Sequence, residues 1–242
     1  MTLLLLSGTA EARDLAKLLA AEGLAAVASL AGATRAPAAQ PIPTRIGGFG
    51  GEAGFRSYLA EAGITAVLDA THPFAARISR RTASVCAQLG LPYCQVLRPP
   101  WAPTAEDRWT FIGAEEDAAH HIGPEDTVFL ATGRQTLSRF GNLEGRRLYC
   151  RQIDPPDAPF PFPNGRYVVG RPPFSVAQEV ELFRELKIDW LVVKNAGGAT
   201  SFSKLVAARA LGVPVLMIDR PAQPDALRVS SVAAAMDWVR GL

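Results

Sequence analysis

Residues 2–30 read TLLLLSGTAEARDLAKLLAAEGLAAVASL, and this stretch decides the fold. It begins with a short apolar run at 2–6 and passes through a glycine turn into an amphipathic helix at 10–22. A second apolar run follows at 25–30. An uncharged apolar run of this length is typical of a buried parallel strand. Strand, helix and strand in this order predict a βαβ unit with a right-handed crossover.

The same rhythm continues to residue 97. Further strands are predicted at 44–46, 66–69 and 93–97, and helices at 51–62 and 74–89. Strands that alternate with helices predict a parallel sheet covered by helices on both faces. We therefore expect a doubly wound, Rossmann-like arrangement in this part of the chain.

The run Arg98-Pro99-Pro100-Trp101 interrupts this rhythm, because prolines continue neither strands nor helices. We place a domain boundary there, between a Rossmann-like domain at 1–98, expected to bind a dinucleotide, and a smaller α/β domain at 99–242. The second domain is predicted to hold strands at 127–131, 190–193 and 215–218, helices at 135–140, 175–186, 201–211 and 232–239, and a proline-rich loop at 155–163. The expected fold class is α/β, with two Rossmann-like lobes, parallel sheets and a cleft between them.

Composition excludes several classes of protein. Of the 242 residues, 48% are hydrophobic and 20% are charged, so the chain can bury a core and is not disordered. The net charge of +2 is too small to indicate a nucleic-acid surface, and no signal peptide or membrane span of ~20 apolar residues is visible. Cys86, Cys94 and Cys150 have no disulfide or zinc spacing. We expect a cytoplasmic protein that binds no nucleic acid, no membrane and no metal.

The turn after the first strand is a candidate phosphate site. In open α/β sheets, this turn presents free N–H groups and the positive end of a helix. Gly8 permits the tight turn, and the hydroxyls of Ser7 and Thr9 could donate to phosphate oxygens. The full G-x-G-x-x-G pattern is absent. A turn in which Thr9 merely caps the helix therefore stays an equal alternative.

The end of the second strand favours NADP over NAD. Folds that bind NAD usually carry an acidic residue there, whereas residues 29–35 contain none. Thr34 and Arg35 instead offer a hydroxyl and a guanidinium that suit a 2′-phosphate. We assign Gly32, Thr34 and Arg35 to the cofactor. The alternative for Arg35 is a solvated loop arginine.

Residues 47–51 read GGFGG and form a second candidate cofactor loop. Glycines let the backbone approach a flat ligand closely, so Gly48 and Gly50 are assigned to the cofactor. The alternative is a flexible connection between a strand and a helix, which four glycines in five positions make less attractive.

Two polar residues follow the fourth strand, where open sheets bind ligands. We expect Thr71 to bond the cofactor. His72 could bind a ligand carboxylate or donate a proton, or it could simply cap the next helix. His120 and His121 end a short amphipathic segment and are expected on a solvated face.

In the second domain, two predicted strands are each followed closely by a basic residue. Gly133 and Arg134 follow one strand, and Lys194 follows another, with Asn195 and Gly197 after it. Two cations at adjacent strand ends suit a ligand rich in carboxylates, although each could equally be an exposed charge. We expect Arg134 and Lys194 to face one cleft together with Arg98 and His72. The residues assigned to the substrate are His72, Arg98, Gly133, Arg134, Lys194, Asn195 and Gly197.

These motifs together resemble the precorrin-6A reductase family. The resemblance covers nearly the whole chain and rests on GTAE at 8–11, GGFGG at 47–51, DATHPFA at 69–75, RPPW at 98–101, GRQ at 133–135 and KNAGG at 194–198. It adds Glu11 to the cofactor residues. One departure is Ala196, where the family pattern has serine.

The resemblance implies a reaction, a cofactor and a substrate. NADPH would deliver hydride to the double bond between ring carbons 18 and 19 of the tetrapyrrole precorrin-6A. His72 is the first candidate for the proton donor, with bound water or ring N–H groups as rivals. The alternatives are a reductase for cobalt-precorrin-6A and a non-catalytic two-lobed nucleotide sensor. Transient contact with neighbouring enzymes of the pathway is a further expectation.

Overall fold

The computed structural model describes residues 1–32 and 39–242. Its strands, in chain order, are β1 (Leu3–Leu6), β2 (Ala26–Leu30), β3 (Thr44–Ile46), β4 (Ala66–Asp69), β5 (Tyr93–Val96), β6 (Trp109–Ile112), β7 (Thr127–Leu130), β8 (Arg147–Gln152), β9 (Arg166–Val169), β10 (Trp190–Lys194), β11 (Val215–Ile218) and β12 (Arg228–Val229).

Helices alternate with these strands. The α-helices are α1 (Ala10–Ala21), α2 (Gly51–Glu61), α3 (Ala76–Leu89), α4 (Val176–Leu186), α5 (Ser203–Leu211) and α6 (Val232–Arg240). Two 3₁₀ helices lie at Glu115–His120 and Arg134–Leu143. No helix in the described part of the chain is long and apolar enough to cross a bilayer.

The first βαβ unit forms for reasons that are visible in its sequence. All four residues of β1 are buried. In α1 the buried residues are Ala12, Leu15, Ala16 and Leu19, a helical spacing that places them on one face. That face packs in the same core cluster as Leu3 and Leu5 of β1. Burial of a leucine side chain contributes about 1.5–3 kcal/mol, so this strand and helix stabilise each other.

The chain divides into two units of equal length. The first unit comprises Met1–Pro99 and Pro221–Leu242, and the second comprises Pro100–Arg220. This differs from the expected consecutive domains, because the last segment of the chain belongs to the first unit. The expectation of a smaller second domain is also wrong.

The returning segment is held to the first unit by a strand and a helix. β12 pairs with β5 in parallel. Ala235, Met236 and Val239 of α6 join the core cluster that contains α1. The sequence predicted the helix but not the two-residue strand that attaches it to the first sheet.

Each unit contains one six-stranded parallel sheet. The orders are β12-β5-β4-β1-β2-β3 in the first unit and β6-β11-β10-β7-β8-β9 in the second. Counted from β1, the first sheet contains the strand order 3-2-1-4-5 of a Rossmann sheet, and counted from β7 the second sheet contains the same order. In this order the direction of strand addition reverses between the first and fourth strands. The prediction of an α/β fold with parallel sheets is confirmed. The strand order therefore reverses between β1 and β4 in the first sheet and between β7 and β10 in the second. The loops that follow these strands lie at the carboxyl edge of each sheet.

Several strands of the second unit escaped the sequence analysis. β8 reads RLYCRQ and β9 reads RYVV, and both lie toward one edge of the sheet. In β8 buried residues alternate with partly or fully exposed ones, and β9 has no fully buried residue. Their mixed composition hides the buried positions. The predicted helix at 135–140 is instead part of the longer 3₁₀ helix Arg134–Leu143.

Candidate functional site

The turn after β1 borders open space. Gly8 has φ +151°, and a Cβ built on it meets no atom of the described residues within 4 Å. Helix α1 begins at Ala10, and the N–H groups of a first helical turn have no partner inside the helix. The turn can therefore accommodate an anion at the reversal point of the first sheet.

The hydroxyls beside Gly8 are used within the protein. Thr9 Oγ1 donates to the carbonyl of Ala70 at 2.8 Å and accepts from the N–H of Ala12 at 3.2 Å. Ser7 Oγ donates to the carbonyl of Leu5 at 3.4 Å. Thr9 is thus the N-cap of α1, as the alternative interpretation had it, and its only hydroxyl proton is committed. What this turn offers a phosphate is backbone N–H groups.

Glu11 and Arg98, which were assigned to different ligands, form an ion pair. Arg98 Nη1 donates to Glu11 Oε2 at 2.8 Å, and both side chains are mostly buried. The pair connects the first turn of α1 to the segment after β5. The charge of Arg98 is therefore already balanced in part, and its assignment to the substrate stays a prediction.

The loop at 47–51 is open, as a binding loop requires. Within residues 1–32 and 39–242, a Cβ built on any of its four glycines meets no atom within 4 Å, and three of them, Gly47, Gly50 and Gly51, have positive φ. Gly54, in α2, would place a Cβ 1.9 Å from the carbonyl oxygen of Phe49. A glycine at position 54 therefore lets the helix approach the loop this closely.

The predicted 2′-phosphate residues are only partly within the described chain. Gly32 has φ +78°, a left-handed conformation that favours glycine after β2. Thr34 and Arg35 lie outside the described residues. Their assignment to the cofactor stays a prediction.

Asp69 organises the loop after β4. It is fully buried, and its Oδ1 accepts from both the N–H and the hydroxyl of Thr71, at 3.0 and 2.7 Å. Its Oδ2 accepts from the hydroxyl of Tyr93 at 2.8 Å. Burial, reinforced by the charge of Asp69, raises the pKa of Tyr93, so this hydroxyl remains a donor. Thr71 is thereby oriented with its proton toward Asp69.

His72 is fixed by a short-range bond. Its Nδ1 accepts from the backbone N–H of Phe74 at 3.2 Å, and the two rings lie 5.8 Å apart between centroids. In a neutral imidazole this bond places the proton on Nε2. Helix α3 begins later, at Ala76, with Ala75 as its N-cap, so His72 does not cap it.

Lys194 lies at the reversal point of the second sheet, where β10 ends. Its ammonium donates to the carbonyl of Thr132 at 3.2 Å and to Thr136 Oγ1 at 3.1 Å, and it lies 3.6 Å from Glu115 Oε1. Burial lowers the pKa of Lys194, and the charge of Glu115 opposes that shift. The ammonium is thus held in place by residues from three segments of the second unit.

Arg134 lies two residues after Thr132, whose carbonyl accepts from the ammonium of Lys194. It opens a 3₁₀ helix after Gly133, which has φ +78°. Its guanidinium is half-exposed and lies 3.4 Å from Asp157 Oδ2. The second unit therefore brings the two cations to one edge of its sheet.

Asn195 anchors another part of the second unit. Its Oδ1 accepts from the N–H of Trp101 at 2.8 Å, and its Nδ2 donates to the carbonyl of Trp101 at 3.1 Å. The indole of Trp101 donates to the carbonyl of Gly198 at 2.7 Å, and Arg220 Nε donates to the carbonyl of Asn195 at 2.7 Å. These contacts give Asn195 a structural task that the sequence did not predict, and its assignment to the substrate stays a prediction.

The rest of this loop is glycine-rich. Gly197 has φ +68°, which explains a glycine at that position. The carbonyl of Ala196 accepts from Arg220 Nη2 at 3.0 Å, a backbone contact that needs no serine hydroxyl.

Comparison with known proteins identifies the family. The model of the family described as Precorrin-6x reductase CbiJ/CobK matches residues 2–240. The chain belongs to this family. The resemblance inferred from the motifs is confirmed.

Members of the family are similar to this chain over almost its whole length. The precorrin-6A reductase of Rhodobacter capsulatus is 48% identical over 239 residues, covering 98% of this chain and 95% of that protein. A solved structure of CobK precorrin-6A reductase has a TM-score of 0.95 and 46% identity, covering 100% of this chain and 96% of that chain. The cobalt-precorrin-6A reductase of Priestia megaterium is 28% identical over 232 residues, covering 90% of each chain.

Sequence analysis missed three residues of this precorrin-6x reductase that organise the candidate site. They are Asp69, Glu115 and Arg45, which holds the loop at 47–51. An acid at the end of a fully buried strand is a signal that could have indicated Asp69. Glu115 and Arg45 carry no local signal, since their partners lie far away or in the backbone.

Proposed function

We propose that this chain reduces precorrin-6A to precorrin-6B in cobalamin biosynthesis, with NADPH as the hydride donor. Membership of the precorrin-6x reductase family over residues 2–240 carries the reaction and the substrate class. When it is bound, NADPH supplies the hydride. The protein has to hold NADPH and precorrin-6A with their reacting carbons close together and aligned, and it has to supply or direct a proton.

The first unit fits a dinucleotide. A Cβ on Gly8 or on the glycines of the loop at 47–51 would occupy open space, which is where a bound nucleotide would approach the backbone. The N–H groups at the start of α1 suit the pyrophosphate. The absence of an acid at 29–35, together with Arg35, supports NADPH over NADH.

The cations of the second unit suit the substrate. Precorrin-6A carries acetate and propionate side chains, and Arg134 and Lys194 lie at one edge of the second sheet. Guanidinium and ammonium groups bind carboxylates through charge-assisted hydrogen bonds. With Nδ1 accepting from the N–H of Phe74, Nε2–H of His72 is a hydrogen-bond donor that can hold a substrate carboxylate. To donate a proton to the substrate, the ring must first bind a second proton at Nδ1 and give up the bond from Phe74. That Arg134, Lys194 and His72 face one cleft together with Arg98 stays a prediction.

The metal-free substrate is favoured over the cobalt complex. Identity to the Rhodobacter capsulatus reductase, named for precorrin-6A, is 48%, whereas identity to the Priestia megaterium reductase, named for the cobalt compound, is 28%. We therefore place this chain with the enzymes that act before cobalt insertion. A cytoplasmic location is proposed as well, because Cys86, Cys94 and Cys150 are free, buried thiols.

One assay tests the proposal. The purified protein is incubated with NADPH and precorrin-6A, and then with the cobalt complex, while the nicotinamide absorbance is followed. We expect oxidation of NADPH with the metal-free compound and much slower oxidation with the cobalt complex. Tight NADPH binding without oxidation by either compound would support a nucleotide sensor instead.

Two substitutions refine the assignment of residues. Arg35→Ala should weaken NADPH binding by ~1.5–3 kcal/mol and leave NADH binding nearly unchanged, because only NADPH has the 2′-phosphate. Equal weakening of both would show that Arg35 does not read that group. His72→Ala should lower kcat strongly if His72 donates the proton, and should raise only KM if it positions a carboxylate.

A further inference from the structure

Arg45 ties the glycine-rich loop to the neighbouring strand. It lies in the edge strand β3, and its Nη1 donates to Ser29 Oγ and to the carbonyl of Gly47, both at 2.9 Å. Its Nη2 donates to the carbonyl of Gly48 at 3.1 Å. Ser29 is a buried residue of β2, so one guanidinium links the carboxyl end of β2 to the loop at 47–51.

The same guanidinium stacks on the aromatic residue of that loop. Its central carbon lies 4.0 Å from the centroid of the Phe49 ring and 4.9 Å from that of Tyr58 in α2. The Phe49 ring in turn lies 4.9 Å from Phe55, which is fully buried. A planar fork that donates in two directions and also stacks is a property of arginine that lysine does not share.

These bonds fix the direction of the loop's peptide groups. In a trans peptide the C=O and the N–H point in opposite directions. Because the carbonyls of Gly47 and Gly48 turn toward Arg45, the N–H groups of Gly48 and Phe49 turn away from it. Among the described residues neither N–H has a backbone partner, and a Cβ on Gly47 or Gly48 meets nothing within 4 Å. Two consecutive donors therefore face open space, an arrangement suited to an acceptor group of a ligand.

We propose that Arg45 is the positioning residue of the cofactor site, which presents the N–H groups of Gly48 and Phe49 to the bound nicotinamide cofactor. The inference rests on the proposed function. Arg45 acts through the loop and does not read the 2′-phosphate. Its loss weakens NADPH and NADH by the same factor, because both cofactors need the ordered loop.

The test compares Arg45→Met, Arg45→Lys and Ser29→Ala with the wild type. Arg240→Met is the matched control, since Arg240 is an exposed arginine of the first unit that pairs with Glu22 and Asp237. Dissociation constants of NADPH and NADH are measured by fluorescence titration, and thermal unfolding confirms that each variant is folded. We expect Arg45→Met to raise both constants about tenfold, because an unordered loop must be ordered on binding. Arg45→Lys should fall between, Ser29→Ala should change both about twofold, and Arg240→Met neither.

A second readout needs no cofactor. Chymotrypsin cleaves after aromatic residues, and Phe49 is partly buried beneath Arg45. We expect cleavage after Phe49 to be faster in Arg45→Met than in the wild type or Arg240→Met, at a temperature where all three are folded.

The outcomes separate the two proposals. A folded Arg45→Met protein with unchanged binding of both cofactors, or with unchanged cleavage at Phe49, overturns the positioning role. Selective loss of NADPH binding also overturns it, since Arg45 would then contact the 2′-phosphate. If the wild type binds neither cofactor, the proposed function fails, and the cleavage rates still decide whether Arg45 orders the loop.

Discussion

The carboxyl edges of the two sheets are built differently, although both sheets share the strand order 3-2-1-4-5. In the first unit, the edge consists of turns such as Gly8 and the loop at 47–51, where a Cβ would meet open space. In the second unit, the edge carries a bonded cation, Lys194, whose ammonium donates to the carbonyl of Thr132 and to the hydroxyl of Thr136 and lies next to the carboxylate of Glu115. The same topology thus supports two kinds of surface.

The difference matches two kinds of ligand. Backbone N–H groups next to glycines suit the phosphates of a dinucleotide, which need close approach and no particular side chain. Fixed cations suit the separate carboxylates of a large macrocycle, because each carboxylate needs its own partner. The first edge thus offers a ligand backbone groups, some of them held by side chains such as Arg45, and the second offers charged side chains.

The largest effect is expected when the open turn of the first unit is filled. Gly8→Val places a branched side chain in the space in front of the turn and should weaken NADPH binding at least 100-fold. The fold should survive, because no atom of the part of the chain that the structure describes lies within 4 Å of the added Cβ, although a valine with φ +151° is strained by about 1–3 kcal/mol.

Gly23→Val is the matched control. Gly23 follows the other end of α1, has φ +64°, and also has nothing within 4 Å of a built Cβ. It should lose similar stability in thermal unfolding and keep its affinity for NADPH. Normal NADPH affinity in a folded Gly8→Val protein would move the phosphate site away from this turn.

A buried cation of the second unit should make stability depend on pH. The ammonium of Lys204 donates to the carbonyl of Ser201 at 2.7 Å, and burial lowers the pKa of Lys204 from 10.5 to about 8. Between these values the unfolded chain binds more protons than the folded protein, so the free energy of unfolding rises with pH. Lys204→Met should remove a rise of about 1–2 kcal/mol between pH 7.5 and 9.5.

Urea unfolding at several pH values measures this effect. The wild type and Lys204→Met share every other titrating group, so the difference between their stabilities isolates Lys204. Lys17→Met is the control, since Lys17 is an exposed residue of α1 that pairs with Asp14. A stability difference that does not change between pH 7.5 and 9.5 would contradict the lowered pKa.

A feature could be predicted from the sequence when neighbouring residues determine it, and not when distant partners do. The strands β1, β4, β7, β10 and β11 are buried apolar runs, and all five were predicted within one residue at each end. The glycine turns of the first unit were also recognised, because a required positive φ leaves glycine in the sequence. Features that depend on local sequence were therefore visible.

Features that depend on distant partners were not. β12 consists of two residues and is defined only by its pairing with β5. Asn195 reads as a polar loop residue, yet both of its amide atoms bond Trp101, which lies 94 positions earlier. Arg98 was assigned to the substrate from the sequence, yet its guanidinium pairs with the carboxylate of Glu11. Only the folded chain reveals which charges are already matched.

A smaller effect is expected from the exposed cation of the second unit. Arg134→Ala should raise the KM for precorrin-6A about three- to fivefold, the range of an exposed ion pair worth up to ~1 kcal/mol. The dissociation constant of NADPH should change little. Arg184→Ala, which removes an exposed arginine of α4, is the control and should leave KM unchanged. An unchanged KM in Arg134→Ala would remove Arg134 from the substrate surface.

The smallest effect is expected on the KM for precorrin-6A when the salt concentration is raised. This effect distinguishes Arg134 from Lys194. The side chain of Arg134 is 41% exposed, whereas that of Lys194 is 15% exposed and surrounded by protein donors and acceptors. Screening acts over a Debye length that falls from ~10 Å at 0.1 M to ~3 Å at 1 M salt, and it acts mainly on exposed charges. The KM of the wild type should therefore rise about twofold between 0.1 and 0.5 M salt. In Arg134→Ala the rise should be clearly smaller, because the remaining contact, at Lys194, is shielded from solvent.

Steady-state kinetics of both proteins across the salt range measure this. Equal salt dependence in the two proteins would mean that the screened charge lies elsewhere, and that the bonded edge of the second unit does not meet the substrate through Arg134.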